Sequence, residues 1–322
     1  MNVQVYLRLN PSTFAATGFA IPSLEQLLAK GSVTKNTDIF ESVLCKAFGL
    51  TTEWDWPAAA LSWLGEGNDP ENYFWLYADP VNLQLQRDHF SLNLPAPLPL
   101  STEESTALSA SLNQHFSGDG LRFFIGSSGQ WYLRLPQVMS IGTSSVAQAA
   151  NRDVRNFMPR GDGAEQLQML INEVQMLLHE HPVNTLREEN GQPIINSLWF
   201  SLTGSIPASP CMPAKTVFTD GVFAKGLAKL GGEVAAPIPL DFEYPKDSHQ
   251  DIALVLDNDS NSNMQDCERW FMATVAGLRS RKIKQSIIHI FMLDQHIQAE
   301  LKPRDLWKFW RKTQPLSSYF AW

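Results

Sequence analysis

The chain has 322 residues, of which 44% are hydrophobic, 11% aromatic and 18% charged, and its formal net charge is -8 at pH 7. This composition is too apolar for a disordered chain, and the negative charge argues against a broad nucleic-acid surface, which needs clustered Lys and Arg. Apolar runs are too short for a membrane span. The sequence therefore predicts one large globular α/β domain, alone or carrying a second domain inserted in it.

Two features favour a cytoplasmic protein. The first residues, MNVQVYLRLNPS, contain neither the apolar run nor the cleavage site of an export signal. The cysteines Cys45, Cys211 and Cys267 are odd in number, far apart and without a C-x-x-C motif. They indicate neither a disulfide framework nor a structural zinc site, so we expect a reducing compartment.

The first half of the chain predicts strands and helices in mixed order. Alternating apolar residues predict a strand at 3–9 that stops at Asn10-Pro11-Ser12. The further predicted elements are helices at 23–30 and 38–48, an aromatic strand at 73–77 ended by Asp79-Pro80, a hairpin at 81–94, a helix at 103–116 opened by a capping box, and a hairpin at 121–135.

The second half predicts an alternation of helices and strands. Its elements are an amphipathic helix at 164–180, strands at 194–202, 251–256 and 286–293, and helices at 221–230 and 264–279. Such alternation is typical of a sheet with crossover helices. Functional groups of these sheets lie at the carboxyl ends of the strands.

Several segments resemble a known family. LSTEESTALSASLNQHF with LRFFIGSSGQWYLRLP, then MLLHEHPVNTLREENGQPIINSLWFSLTGSIP, then GVFAKGLAKLGGEV resemble consecutive parts of archaeal-type cofactor-independent phosphoglycerate mutases of the alkaline phosphatase superfamily. The second segment is the most specific. WLYADPVNLQLQRDHFSL, NEVQMLLHEHPVN and NSLWF are also similar to a bacterial branch described as RpfE-type regulatory proteins. The likeness covers roughly residues 70–322.

The resemblance implies a fold and a chemistry. The fold would be α/β, with an alkaline-phosphatase-like central sheet flanked by helices and formed by 1–94 and 161–322, and with a small inserted α+β domain at 95–160. In these mutases two divalent metals, usually manganese or zinc, activate a serine that carries the phosphoryl group. That mechanism needs a full shell of Asp and His ligands, so a ligand count tests it.

The ligand count falls short at three strand ends. Asn10 stands where the resemblance implies a carboxylate, and Leu256 and Gln295 stand where it implies histidines. A metal pair held by so few ligands would bind weakly. We therefore expect no resident cofactor, and manganese or zinc only if the protein is active.

Other residues keep the chemistry open. Ser12 is a candidate nucleophile, or a turn residue or helix cap after Asn-Pro. Asp257 and Asp259 are candidate oxygen ligands for a hard cation, or parts of a solvated loop. Asp294 and His296 are further candidate metal ligands, or a solvated strand end.

Three residues of the central motif are candidate ligand contacts. Asn184, Arg187 and Asn196 match the family's motif. Arg187 offers a bidentate fork to a carboxylate or phosphate. The alternative for Arg187 is a surface ion pair with Glu188 or Glu189, or a clamp on carbonyl groups.

The C-terminal segment 306–312 (LWKFWRK) combines aromatic and basic residues. It predicts a terminal helix docked by Trp307 and Trp310 with a solvated basic side, or a contact with a membrane surface or a partner.

Three hypotheses on function follow. The first is a catalytically degenerate mutase-like protein with a regulatory or ligand-binding role. The second is an active metal-dependent phosphomutase or phosphatase using Asp257, Asp259, Asp294 and His296. The third is a structural interaction module with an aromatic surface formed by Trp54, Trp56, Trp63 and the C-terminal pair. The expected partners are a protein or a small phosphorylated ligand.

Overall fold

The computed structural model describes residues 1–9, 20–207, 215–238, 251–257 and 264–320. In these ranges the strands are β1 (Asn2–Arg8), β2 (Ser32–Asn36), β3 (Phe74–Val81), β4 (Leu83–Leu85), β5 (Phe90–Leu92), β6 (Arg122–Ile125), β7 (Trp131–Leu135), β8 (Ser197–Gly204), β9 (Lys215–Thr219), β10 (Asp251–Leu256), β11 (Gln285–Met292) and β12 (Gln295–Leu301). The α-helices are α1 (Pro22–Lys30), α2 (Phe40–Ala47), α3 (Ala58–Gly65), α4 (Thr102–His115), α5 (Val146–Ala149), α6 (Ala164–His179), α7 (Pro182–Glu189), α8 (Val222–Leu230), α9 (Met264–Arg279) and α10 (Ser317–Phe320). Short 3-10 helices lie at Phe116–Asp119, Val154–Phe157 and Pro303–Trp307. Within these ranges no helix combines the length and the apolar character needed to cross a bilayer.

Internal contacts divide the chain into two units. Unit 1 comprises Met1–Leu50 and Ser209–Trp322, and unit 2 comprises Thr51–Ala208. The inserted domain predicted at 95–160 lies within unit 2, but unit 2 is larger. The β6–β7 hairpin shares a sheet with β3 and β8, which the sequence analysis assigned to the core. The inserted domain at 95–160 stays a prediction.

Unit 1 is built on a mixed sheet. Its described strands are ordered β2-β12-β11-β1-β10-β9, with β11, β1, β10 and β9 parallel and β12 antiparallel to both of its neighbours. Val3, Val5 and Leu7 alternate into a core shared with α1 and α9. On the opposite face, Phe40 of α2 packs edge-on against Phe291, with the ring centroids 5.4 Å apart. The predicted α/β class, a central sheet flanked by helices, is confirmed.

Unit 2 contains an antiparallel sheet. In the part of it that the structure describes, the strands are ordered β6-β7-β3-β8, and β4 pairs with β5 as a separate hairpin. The helix α6 buries Leu167, Val174 and Leu178 in the core of this unit. The predicted capping box is present, because Ser101 accepts from the backbone of Glu104 at the start of α4 and the Glu104 side chain bonds back. The predicted hairpins are confirmed within a few residues.

The strand predicted to end at Asp79-Pro80 instead runs through both residues. In β3, Pro80 lies opposite Leu198 of β8. The other neighbour, β7, pairs only with residues 74–77 of β3. Pro80 lies beyond that pairing, where the missing N–H deprives no strand of a hydrogen bond.

The C-terminal segment does not form the predicted docked helix. A 3-10 helix ends at Trp307, and Trp307, Phe309 and Trp310 are 78%, 86% and 66% exposed. The Lys30 ammonium donates at 2.7 Å to the carbonyls of Lys308 and Arg311. The segment is thus attached through its backbone rather than through its aromatic rings.

Candidate functional site

The carboxyl ends of the parallel strands in unit 1 bring a cation and two carboxylates together. Arg8 ends β1, Asp257 follows β10, and Glu41 lies in α2. The Arg8 Nη1 atom is 3.1 Å from Glu41 Oε1 and 3.8 Å from Asp257 Oδ1. The two acidic side chains are only 4% and 10% exposed. The fixed charge of a guanidinium therefore compensates two buried negative charges at this edge.

A glycine and an aromatic ring shape the same edge. The Arg8 guanidinium carbon lies 5.0 Å from the centre of the Phe40 ring, a cation-π contact. A Cβ added at Gly221 would lie 3.0 Å from the Cβ of Asp257. The start of α8 therefore approaches the carboxylate as closely as a residue without a side chain allows.

The predicted metal ligands that the structure describes follow two strands of unit 1 or lie in a third, and metal binding stays a prediction for them. Asp294 lies in the two-residue turn between β11 and β12, whereas His296 is buried within β12. Asp257 contacts Arg8. Ser12 and Asp259, like Asn10, lie outside the described residues. Among the residues that are described, no group of three His, Cys, Asp or Glu side chains could hold a metal ion.

His296 belongs to a stacked pair of histidines that the sequence analysis did not foresee. His289 Nδ1 and His296 Nε2 are 3.0 Å apart, and the rings lie almost parallel. Tyr6 stacks on His289, and Phe291 stacks on His296. Burial lowers the pKa of His289 to about 3. It lowers the pKa of His296 to about 4, although Asp38 nearby opposes this shift.

We expect this pair to make unit 1 sensitive to acid. The unfolded histidines titrate near their ordinary pKa of 6.5. Below that pH the unfolded chain binds protons, whereas the folded pair takes them up only near its own pKa values of about 4 and about 3. Stability is therefore lost as the pH falls through this window. For His289 the slope is about 1.4 kcal/mol per pH unit.

Urea unfolding between pH 7 and pH 4 tests this expectation. The double variant His289→Phe/His296→Phe keeps the stacked rings and should show a shallower loss of stability than the wild type. His115→Gln, which changes an exposed histidine, should keep the wild-type slope. A double variant with the wild-type slope would contradict the assignment.

Asn184 and Asn196, two of the predicted ligand-binding residues, bond to backbone groups of unit 2. The Asn184 amide nitrogen donates at 2.8 Å to the carbonyls of Leu178 and Ile195, and its oxygen accepts from Ile195 N at 2.8 Å. Asn196 makes the same kind of two-way contact with the backbone of Leu83. Each side chain thus holds backbone segments of unit 2 together by hydrogen bonds. A ligand contact stays a prediction for both residues.

Arg187, the third predicted ligand-binding residue, is 3% exposed and also serves as a clamp. Its Nε atom donates to the carbonyl of Pro193 at 2.7 Å, and Nη1 bonds Glu104 Oε1 at 2.8 Å. The carbonyl clamp considered from the sequence is therefore present. The ion pair is made with Glu104 rather than with Glu188 or Glu189.

Unit 2 also contains a half-buried carboxylate that no sequence pattern predicted. Asp55 accepts from Thr143 Oγ1 at 2.5 Å, from Trp56 N at 2.8 Å and from Thr203 N at 3.3 Å. Burial raises the pKa of Asp55 to about 6, although these hydrogen bonds favour the ionised form. The folded unit therefore holds this proton between about pH 4 and about pH 6, and the contribution of Asp55 to stability falls as the pH rises through that window.

The tryptophans proposed as one aromatic surface have different surroundings. Trp54 is 51% exposed. Trp63 packs against Trp75 and Phe124, with ring centroids 5.1 Å and 5.0 Å away. Trp63 thus packs against a core cluster of unit 2. Because Trp63 is partly buried there, it contributes less to the exposed aromatic surface that the third hypothesis requires.

Part of the chain is similar in sequence to a phosphoglycerate mutase. No protein-family model matches the chain. A probable 2,3-bisphosphoglycerate-independent phosphoglycerate mutase from Geobacter sulfurreducens is 27% identical over 146 residues, which are 45% of this chain and 36% of that protein. The match thus spans about a third of that relative's length.

Two solved structures are similar over most of the chain. A cofactor-independent phosphoglycerate mutase from Thermoplasma acidophilum has a TM-score of 0.40 and 16% identity, with 98% of this chain and 93% of that chain covered. The PH0037 protein from Pyrococcus horikoshii has a TM-score of 0.45 and 13% identity, with 94% and 87% covered. These comparisons do not test the resemblance to RpfE-type regulatory proteins.

Proposed function

We propose that this chain is a phosphoglycerate-mutase-like protein of the cytoplasm that has lost the metal-dependent reaction and acts by binding, in a regulatory role. The observation that supports this most is the Arg8 guanidinium between Glu41 and Asp257 at the carboxyl edge of the sheet. This is the edge at which open α/β sheets carry their functional groups.

The position of Arg8 argues against a metal pair at these carboxylates. A guanidinium keeps its proton at any physiological pH, so its positive charge is permanent. A divalent cation bound to Glu41 or Asp257 would lie within a few ångströms of that charge and would be repelled by it. The residues that the structure describes at this edge therefore do not fit a two-metal centre.

The ligand class is a small phosphorylated molecule or a protein partner. The relative from Geobacter sulfurreducens is named as a phosphoglycerate mutase, which supports the first class. The exposed aromatic and basic side chains around Trp307 and Trp310 support the second. In the part of the chain that the structure describes, Cys45 and Cys267 are buried and not joined in a disulfide, as suits a reducing compartment.

Metal analysis combined with a phosphomonoester assay tests the proposal. The purified protein should contain manganese and zinc far below one ion per chain and should not hydrolyse p-nitrophenyl phosphate when either metal is added. Calorimetry with 3-phosphoglycerate should detect binding without turnover, or a pull-down should recover a specific partner. Tight stoichiometric metal binding, with phosphatase activity that Asp294→Ala removes, would instead establish the active phosphomutase or phosphatase.

We expect Arg8→Gln to create a weak cation site. Removal of the guanidinium leaves Glu41 and Asp257 as buried carboxylates without this counter-charge, and hard cations prefer carboxylate oxygens. Manganese should then bind at least about tenfold more tightly than to the wild type, by titration calorimetry. Arg8→Gln/Glu41→Gln should lose the gain. Equal manganese affinity in the wild type and in Arg8→Gln would contradict the role given to Arg8.

A further inference from the structure

Unit 2 contains a cavity that Asn196, one of the predicted ligand contacts, helps to line. It has a volume of about 390 Å³ and lies between β8, α6 and the 3-10 helix Val154–Phe157. Small-molecule sites usually have volumes of about 300–1,000 Å³ and mostly apolar walls with a few polar groups. The volume of this cavity lies within that range.

The walls of the cavity are mainly apolar. Phe157, Ile171 and Trp199 line it, and Phe90 lies at the cavity with 48% of its surface exposed. The indole N–H of Trp199 donates to the carbonyl of Ser144 at 2.7 Å, so the polar atom of this ring is already bonded. An apolar ligand would cover these surfaces and remove them from water.

The positive charge at the cavity wall is compensated by a neighbouring carboxylate. Among the described residues that line it, the charged side chain is Arg155. Its Nε and Nη2 atoms bond both carboxylate oxygens of Asp153 at 2.6–3.0 Å. A phosphate or carboxylate entering the cavity would lose its hydration without a free cation to replace it. An uncharged ligand has no such cost.

One side of the cavity carries neutral amides. Gln168, Asn172 and Gln175 of α6 line it at a spacing that places them on one face of the helix. Gln168 Nε2 donates to Asn172 Oδ1 at 3.1 Å, and Gln175 Nε2 donates to Ser197 Oγ at 3.2 Å. The Oε1 atom of Gln175 and the Nδ2 atom of Asn172 take no part in these two bonds. They offer one acceptor and one donor to a neutral polar group.

We propose that unit 2 binds an uncharged, mainly apolar small molecule in this cavity. The aromatic or aliphatic body of the ligand packs against Phe157 and Trp199, and its neutral hydrogen-bonding group bonds the amides of Gln175 and Asn172. The described residues that line this site all belong to unit 2. The inference therefore goes beyond the proposed function and does not depend on it.

Fluorescence titration with N-phenyl-1-naphthylamine, a neutral aromatic probe with one N–H group, tests the site. The probe should bind saturably to one site per chain. Its anionic analogue, 8-anilinonaphthalene-1-sulfonate, should bind at least about tenfold more weakly. Asn172→Trp, which adds a large ring to the cavity wall, should weaken binding of the neutral probe about tenfold or more.

Matched variants separate this site from other apolar surfaces. Met176→Trp adds the same ring on the same helix, at a residue that is 78% exposed and does not line the cavity, and should bind like the wild type. Gln175→Leu should weaken binding of N-phenyl-1-naphthylamine more than binding of 1-phenylnaphthalene, which lacks the N–H group.

Three results would overturn the proposal. They are the absence of saturable binding, equal probe affinity in the wild type and in Asn172→Trp, and self-association in sedimentation that Asn172→Trp abolishes. The last result would show that a second copy of the chain covers the cavity.

Discussion

Replacement of Arg8 by Met is expected to lower the free energy of unfolding by about 3 kcal/mol, the lower end of the range for breaking a buried ion pair. The variant leaves Glu41 and Asp257, which are 4% and 10% exposed, without the guanidinium beside them. The lower end applies because the Arg8 side chain is itself 31% exposed, so water screens part of its interaction. Urea unfolding measures the loss.

The controls for Arg8→Met separate charge from packing. Lys282→Met removes an exposed positive charge of the same unit and should change the free energy by less than about 0.5 kcal/mol. The double variant Arg8→Met/Glu41→Gln removes one of the two negative charges and should recover part of the loss. Hydrogen exchange should show the destabilisation in β1, β10 and α2. A loss of the same size for Lys282→Met would contradict a specific ion pair.

The second large effect is expected for Asn184→Ala, at about 3 kcal/mol. The substitution removes three bonds to the backbone and leaves Ile195 N buried without its acceptor. Each buried polar group left without a partner costs about 1–3 kcal/mol. Thermal and urea unfolding should both show the loss, with faster hydrogen exchange in the segment from α7 to β8.

Asn190→Ala is the matched control for Asn184→Ala. Asn190 is exposed and makes a single bond to the carbonyl of Leu186 in the same helix region. It should lower the free energy of unfolding by less than about 1 kcal/mol. If Asn184→Ala is no more destabilising than Asn190→Ala, the clamp is not a main contact of unit 2. A ligand role would then become the better explanation of the motif.

The sequence predicted elements well where their signal is local. The bounds of β10 and α9 match the predicted ranges, because an apolar run or a helical repeat is present in the segment itself. Pro80 shows where a local rule fails. A proline is excluded from a strand only where its missing N–H would face a pairing neighbour, and the start of β7 at Trp131, short of Pro80, is not visible from residues near Pro80.

The candidate site depended on contacts that no local pattern encodes. Arg8 looks like an ordinary polar residue of an alternating strand, and its partners lie in α2 and after β10, far along the chain. The family resemblance singled out Asn184 and Arg187 as ligand contacts, which stays a prediction. Their bonds to Leu178, Ile195 and Pro193 become visible only when the backbone between α6 and β8 is placed.

The division of unit 1 into two chain segments affects how the protein folds while it is synthesised. β1 pairs with β10 and β11, and the backbone N–H of Asn2 bonds Asp251, 249 residues later. At about 5–20 residues per second, the ribosome needs on the order of ten seconds or more to supply these partners. Unit 2 is complete in the nascent chain well before then. The first apolar strand is therefore synthesised long before its partner strands, and this is the interval in which a chaperone would protect it.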